Sequence, residues 1–417
     1  MQSHAHASKG HVMARVLIGL AAAVCWSSLA ATTPAAAVPV TCQTTGSFES
    51  WLADFRKEAA REGLSPQTIS AALDGMTLDP GILARDRKQS FFSQTFLDVV
   101  AKLATRNRVQ SGMRAIDRHK AIFDRAENDY GVPAGPIAAF WALESDFGAG
   151  MGKLPVLRSL ATLAYDCRRG DMFRAELMAA LRIIERGDLK PTEMIGSWAG
   201  ELGQTQFLPG HYLNYAVDYD GDGRRDLMRS PADVIGSSAA FLQRLGWQRG
   251  QPWLQEVRVP AQMPWDQADL SIQHPRSAWA NWGVTFADGR PLTADDLPAS
   301  LHLPMGRNGP AFLAYPNFRV FLKWNQAPNY TTTAAYLATR IEGAPALRNG
   351  NAPVAPFGIE QTRELQELLA KAGLYTMAID GRLGNGTRSA VKAAQVKFDM
   401  PADAYPTPEL VERLRRP

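Results

Sequence analysis

The sequence predicts a mainly α protein built from more than one domain. Three observations carry this reading. The chain has 417 residues, and at roughly 100–200 residues per domain that length suits two or three. Apolar residues recur at helical spacing along most of the chain, whereas alternating strand patterns are scarce. Hydrophobic residues make up 46% and charged residues 21%. These are ordinary globular values, which exclude a disordered chain, a collagen and a polytopic membrane protein. The net charge of +4 is too mild for a nucleic-acid partner, which needs a clustered basic face.

Residues 1–37 carry Lys9 and Arg15, no acid, then the apolar run VLIGLAAAVCWSSLAA and Ala35-Ala36-Ala37. This is the pattern of a cleaved secretory signal peptide, which implies the periplasm. The run is short of the ~20 residues of a membrane span, so stable membrane insertion is not expected. Val24 precedes Cys25, where a lipid-attachment site wants a small residue. Export leaves Cys42 and Cys167, which either pair in an oxidising compartment or stay as two separate thiols.

Phe48, Trp51, Leu52 and Phe55 lie at i, i+3, i+4 and i+7, one apolar face of a helix. Gly63 suits a helix stop, and Ser65-Pro66 suits the N-cap and first position of the next helix. Similar helical patterns recur near 91–128, 171–186 and 231–245. Loops rich in Pro, Gly and Trp, with a few short strands, are expected over 246–316. Ala, Pro, Gly and Asn dominate 343–357, which reads as a flexible tether. Helices over 358–373 and 386–398 follow, joined by a turn containing Asp380-Gly381 and Gly384. The expected organisation is a domain over 45–342, a linker over 343–356 and a small domain over 357–417.

Chemistry concentrates in three segments. In the first, VPAGPIAAFWALESDFGAGMG from Val132, Glu144 sits in an otherwise apolar helix near its C-terminal end, because Gly148, Gly150 and Gly152 follow. Burial and the negative end of the helix dipole both disfavour a carboxylate there, so the proton is retained, as a general acid requires. The alternative is a glutamate paired with a buried arginine, Arg168 or Arg169. In the second, GSWAGELGQTQFLP from Gly196, small residues let backbone approach a ligand. Ser197, Gln204 and Gln206 are uncharged groups suited to sugar hydroxyls; an ordinary glycine-rich loop is the alternative. In the third, Asp218, Asp220 and Asp222 with Gly223 match the start of a calcium loop, but position 12 is Arg229 rather than a bidentate acid. Asp226 or Asp233 could substitute, or the acids could only cap the next helix. His119, His211, His274 and His302 show no metal-ligand spacing. H-E-x-x-H, G-x-S-x-G and P-loop motifs are absent from the sequence.

Taken together, WALESDFGAGMG, LATLAYDCRR, SWAGELGQTQFLP, AVDYDGDGRRDL and FLKWNQAPNY, in that order, resemble the lytic murein transglycosylase B family over about residues 48–342. Leu365-Gln366, Leu369, Gly373, Asp380-Gly381, Gly384, Thr387, Ala390-Val391 and Gln395 resemble the common peptidoglycan-binding helical domain. The resemblance implies a lysozyme-like, goose-type catalytic domain followed by a small three-helix domain. It also implies cleavage of the β-1,4 bond between N-acetylmuramic acid (MurNAc) and N-acetylglucosamine (GlcNAc) without water, leaving a 1,6-anhydroMurNAc end. Glu144 would act as acid and then base. Ser197 and Asn325 would contact substrate near the scissile bond, and Gln206, Arg168, Arg169 and Tyr330 would line the groove. Trp324 stands where relatives often have Tyr and would keep a stacking surface. Glu201 stands where many relatives have Ala and keeps a hydrolytic muramidase in play; a non-catalytic wall-binding scaffold is the third reading. No cofactor is required; a structural calcium at Asp218, Asp220 and Asp222 is an option the resemblance adds, against which Arg229 stands. The expected partner is the glycan strand of peptidoglycan, and wall-remodelling protein partners are not specified by the sequence.

Overall fold

The structure, a computed structural model, describes residues 46–87 and 94–416. The expected signal peptide over 1–37, with Cys25 and Cys42, lies outside the described residues. Among the described residues, no helix is long and apolar enough to cross a membrane.

The helix Ala134–Ser145 forms the centre of the large domain and is buried continuously from Gly135 to Ala142. A helix apolar all round has no face to offer water and must be enclosed. The helices Arg106–Arg118, Lys120–Tyr130, Pro231–Arg244 and Pro328–Ile341 enclose it. At its start, the Gly135 amide donates to Glu342 Oε1 at 3.0 Å, satisfying one of the amides a helix N-terminus leaves open.

A second helical layer is built on Val156–Tyr165 and Gly170–Glu185, which pack together and carry Phe48–Arg61, Pro66–Leu73, Pro80–Arg87 and Pro209–Tyr215. The first two of these carried helices start and stop as the sequence predicts. Ser65 Oγ accepts from the Thr68 amide at 3.2 Å with Pro66 at the first helical position. Phe48, Leu52 and Phe55 are buried, with Trp51 packed beside them.

Residues 246–316 are more ordered than loops. They contain a five-stranded antiparallel sheet in the order His274–Pro275, Pro298–His302, Ala311–Ala314, Leu254–Arg258, Thr285–Phe286. Its own core includes Val257, Trp265, Trp279, Leu301, Leu313 and Tyr315. Alternation is missing from the sequence because Ala311–Ala314 is buried at every position and Pro298–His302 at all but the first. A strand covered on both faces reads as a short apolar run.

The C-terminal domain has three helices, Ile359–Lys371, Asn385–Lys397 and Pro408–Arg415, around Leu365, Leu369, Val391, Ala394 and Leu410. The buried Gln366 organises its turn. The side-chain amide donates to Asp380 Oδ1 at 2.9 Å and Thr387 Oγ1 at 3.0 Å, and its oxygen accepts from the Gly381 amide at 2.8 Å.

The flexible tether expected over 343–357 is instead held down. Leu347 N donates to the Tyr336 hydroxyl at 2.9 Å, Arg348 N to Glu256 Oε1 at 3.0 Å and Asn351 N to Asn308 O at 2.8 Å. Leu347 and Val354 pack on the large core. The segment's composition lacks periodicity, but its backbone donors find partners on the larger domain. The C-terminal domain is docked as well. Arg388 donates to Leu303 O at 2.6 Å and Pro304 O at 3.0 Å. Lys392 pairs with Asp269 at 3.0 Å, and Arg307 N donates to Asp403 Oδ2 at 2.9 Å. A cavity of about 850 Å³ opens beside these contacts, lined by Phe357, Arg363 and Asp380 on one side and Asp269 and His302 on the other.

Arg388→Ala should loosen this docking by about 2 kcal/mol, because two carbonyls lose a charged donor. The expected outcome is a lower urea midpoint and faster protease cleavage within 343–357, checked by circular dichroism and limited proteolysis.

Candidate active site

The cavity beside the C-terminal domain does not include Glu144; the titrating groups locate the chemistry. Glu144 lies one residue before the end of the central helix. The chain leaves that helix sharply, with Asp146 and Phe147 in the left-handed region at φ 47° and 59°. Arg108 fixes the exit, reaching Asp146 Oδ1 through Nε at 2.8 Å and Nη2 at 2.6 Å, and Leu103 O through Nη1 at 2.7 Å. The helix end is also tied to the loop after Gly196. Ser145 Oγ donates to Gln204 O at 2.7 Å, and Trp141 Nε1 donates to Gln204 Oε1 at 2.8 Å.

Two donors converge on one oxygen of Glu144. The Tyr330 hydroxyl donates to Oε1 at 2.7 Å and the Trp324 indole nitrogen at 3.0 Å. Oε1 is thereby an acceptor, and a proton on this carboxyl belongs on Oε2, which has no protein partner among the described residues. Glu144 is walled in by protein yet keeps part of its side chain open to solvent. Burial pushes its pKa up to about 7; the hydrogen bonds from Tyr330 and Trp324 oppose the rise, and the carboxyl of Glu201 adds to it. Burial beside Glu144 also raises the Tyr330 phenol well above its ordinary range, so Tyr330 remains a donor. The group is half-neutral near pH 7, which suits proton transfer in both directions.

The sequence-predicted residues divide into two sets. Trp324, Tyr330 and the Ser197 loop gather at Glu144. Trp324 stacks on Phe140 with ring centroids 4.0 Å apart at 13°, and Phe207 and Phe241 flank it at 5.6 and 5.2 Å. One indole face is therefore already covered, and its N–H holds the acid. Asn325 ends the Phe318–Trp324 helix, and its Oδ1 accepts from the Ala327 amide at 2.9 Å. Gln206 has φ 48°, and its amide donates to Gly203 O at 2.8 Å and Met151 O at 3.2 Å. Gly152 lets the Leu154–Pro155 strand meet Ile195–Gly196: a Cβ there would lie 2.1 Å from Gly196 O.

Arg168 and Arg169 form the second set. Both guanidinium groups are taken up by the buried Asp86, so the alternative in which one of them neutralises Glu144 is not what the structure contains. Cys167 beside them is disulfide-bonded; Cys42 is outside the described residues. The acidic loop brings carboxylate oxygens of Asp218, Asp220 and Asp222 within 4.8 Å of one another. The acids considered as substitutes for position 12 are occupied elsewhere. Asp233 accepts the Tyr219 and Asp226 amides at 2.6 and 2.7 Å, and Asp226 pairs with Arg229 at 2.9 Å. Arg108 escaped the sequence reading because it lies 38 residues from Asp146 in an ordinary basic helix. Gln204 had the right residue type, but its side chain ties the fold together rather than facing a ligand.

The transglycosylase SLT domain family matches residues 47–339, which is most of the chain. The chain belongs to this family. The peptidoglycan binding domain family matches residues 359–414 of the same chain. It is 31% identical over 243 residues to membrane-bound lytic murein transglycosylase B of Escherichia coli K12, covering 58% of this chain and 65% of that protein, just under two thirds of its length. SltB3 of Pseudomonas aeruginosa, solved in complex with NAG-anhNAM-pentapeptide, is 41% identical with a TM-score of 0.82 over 89% of this chain and 100% of that one. E. coli Slt35, solved in complex with calcium, is 27% identical with a TM-score of 0.60 over 70% of this chain and 92% of that one.

The raised pKa of Glu144 sets a pH dependence of stability. The folded state binds this proton more tightly than the unfolded state, whose value is 4.5. The contribution is therefore fully present below pH 4.5 and is lost as pH rises through about 7. Glu144→Gln should be more stable than the parent at pH 8.5 by about 2–3 kcal/mol, with the gap closing by pH 4. Urea unfolding at both pH values checks this.

Proposed function

We propose that this chain is a periplasmic lytic murein transglycosylase. It cleaves the MurNAc-β-1,4-GlcNAc bond of peptidoglycan without water and leaves a 1,6-anhydroMurNAc end. The observation that carries the reading is the single acid, Glu144, with one oxygen clamped by Tyr330 and Trp324 and the other left for a ligand. Protonated Oε2 gives its proton to the glycosidic oxygen as the C1–O bond breaks and the GlcNAc hydroxyl leaves. The positive charge developing at C1 is stabilised by the substrate's own acetamido oxygen, a known exception to the two-carboxylate arrangement. The resulting carboxylate takes the proton from the C6 hydroxyl, whose oxygen closes on C1. One group serves twice, because the base needed second is what the acid becomes, and a pKa of about 7 favours neither half. Ser197 and Asn325 contact the sugar near the scissile bond, Trp324 and Tyr330 border it at the acid, and Gln206, Arg168 and Arg169 line the groove further out. The C-terminal domain holds the wall. The anhydro-sugar ligand bound by SltB3 supports this product class.

The mature protein and Glu144→Gln should be incubated with purified peptidoglycan and the muropeptides weighed. The expected outcome is anhydro ends from the parent and at least a 100-fold loss in the variant. Reducing ends would mean a hydrolase, and undiminished turnover by the variant would remove Glu144 from its role.

The acidic loop fits calcium in part. Asp218, Asp220 and Asp222 offer three clustered oxygens, and Gly223 turns the loop at φ 90°. Arg229, at the position of the bidentate acid, points to Glu193 at 2.7 Å. We infer a structural calcium site of low affinity, with Kd on the order of 10⁻⁴–10⁻³ M. Millimolar CaCl₂ should raise Tm by a few degrees, and Asp220→Asn should abolish that rise; an equal rise in the variant would count against the site.

A further inference from the structure

The C-terminal domain contains the same turn twice. At the first, the buried Gln366 accepts the Gly381 amide on its side-chain oxygen at 2.8 Å and donates to Asp380 Oδ1 at 2.9 Å. Asp380 Oδ1 also accepts the Arg382 amide at 2.9 Å. At the second, the buried Gln395 accepts the Ala404 amide at 2.9 Å and donates to Asp403 Oδ1 at 2.7 Å, which accepts the Tyr405 amide at 3.1 Å. Gly381 and Ala404 occupy the same place, and both are left-handed, at φ 74° and 59°. In each turn a glutamine fixes one carboxylate oxygen and leaves the other, Oδ2, outside the clasp.

The two turns differ in what meets Oδ2. Asp403 Oδ2 accepts the Arg307 amide of the large domain at 2.9 Å. The seat is tight: a Cβ on the preceding Gly306 would lie 2.6 Å from Tyr405 Cβ. Asp380 Oδ2 has only Arg382 Nε, at 3.8 Å and beyond hydrogen-bond reach, among the described residues. Burial opposes ionisation of Asp380, but the hydrogen bonds from Gln366 and the Arg382 amide hold its carboxyl below the ordinary range. A carboxylate only accepts, so this oxygen is open to a donor. The turn borders the cavity of about 850 Å³ between the domains, within the roughly 300–1,000 Å³ of small-ligand clefts. Arg363 borders it too. Its Cγ lies 3.1 Å from where a Cβ on Gly381 would be, and it has no hydrogen bond or ion pair among the described residues.

We propose that the Asp380–Gly381 turn and Arg363 bind a stem peptide of peptidoglycan in this cavity, with Asp380 Oδ2 accepting a peptide N–H and Arg363 pairing with a peptide carboxylate. The inference rests on peptidoglycan being the substrate, and it names the part of that polymer the C-terminal domain holds. The occupied twin shows the mode of binding. There a backbone amide sits on Oδ2, and the residue before it, Gly306, has φ 71°. Such a φ strains an L-residue but suits its mirror image, and stem peptides alternate L- and D-residues. The glycan also carries N–H groups, on its acetamido side chains. It has no carboxylate for Arg363, because the lactyl carboxyl of MurNAc is taken up in the amide to the stem.

The test is titration calorimetry of the full chain with the free peptide L-Ala-γ-D-Glu-meso-diaminopimelate-D-Ala, which has no glycosidic bond to cleave. Asp380→Asn keeps an oxygen for Gln366 and the Arg382 amide and puts a donor where Oδ2 was. The turn is thereby preserved while the acceptor is lost, and circular dichroism checks the fold. Arg363 is exposed, so Arg363→Ala probes the same site without touching the turn. The expected result is saturable binding by the parent and a loss of roughly tenfold in each variant. An all-L isomer should bind less tightly than the stem peptide, and chitotetraose, which has acetamido groups but no carboxylate, should not displace it. No binding by the parent, undiminished binding by either variant, equal binding of the all-L isomer, or displacement by chitotetraose would each overturn the proposal. Sacculus binding and muropeptide masses, measured alongside, separate the two levels. A parent that holds sacculi and releases anhydro ends yet ignores the peptide loses the stem-peptide site alone. Reducing ends would sink the transglycosylase reading and leave the peptide isotherm standing.

Discussion

The structure turns on a carboxyl group placed where folding alone would not put one. The central helix is enclosed on every side, and such a position penalises charge. The fold accommodates Glu144 by setting it at the last turn, with part of its side chain open, and by aiming two neutral donors at a single oxygen. Tyrosine and tryptophan suit this task. Each adds apolar bulk to the surrounding core and contributes one hydrogen without a competing charge. An arginine in either place would have fixed the carboxylate permanently.

The surroundings are arranged to hold that geometry. Arg108 secures the left-handed exit at Asp146, Gln204 ties the helix end to the neighbouring loop, and Phe140 stacks under Trp324. Arg168 and Arg169 are engaged with Asp86, which keeps two strong cations off the acid. The acid's environment is accordingly apolar above and below, with a like charge from Glu201 on one side. That combination keeps a carboxylic acid neutral near pH 7 more effectively than burial by itself.

Much of this was legible in the sequence, because the relevant signals are local. The periodicity of Phe48 to Phe55, the Ser65-Pro66 cap and the glycines after Glu144 each reflect contacts within a turn or two. The placement of Glu144 in an apolar run was equally plain. The sheet within 246–316 was less legible: two of its three central strands are buried on both faces and its outer strands are two residues long. The pairing of Arg168 and Arg169 with the buried Asp86, the role of Arg108 and the anchoring of 343–357 all depend on residues far apart in the chain. Residue type suggests such partners without selecting among them. The small residues following Gly196 marked a loop of interest, but not that Ser197 would spend its only proton on Glu201.

The docking of the C-terminal domain bears on how the proposed enzyme would meet a polymer. Two modules on a loose string can engage almost any pair of sites within reach, and their avidity depends mainly on string length. Two modules locked at a set angle cannot search in this way. Both can be occupied together only by strands presented at the matching tilt, while others engage one module and dissociate. In a stressed, anisotropic mesh, Arg388 and Lys392 would then act as a protractor, making residence time a readout of local strand direction.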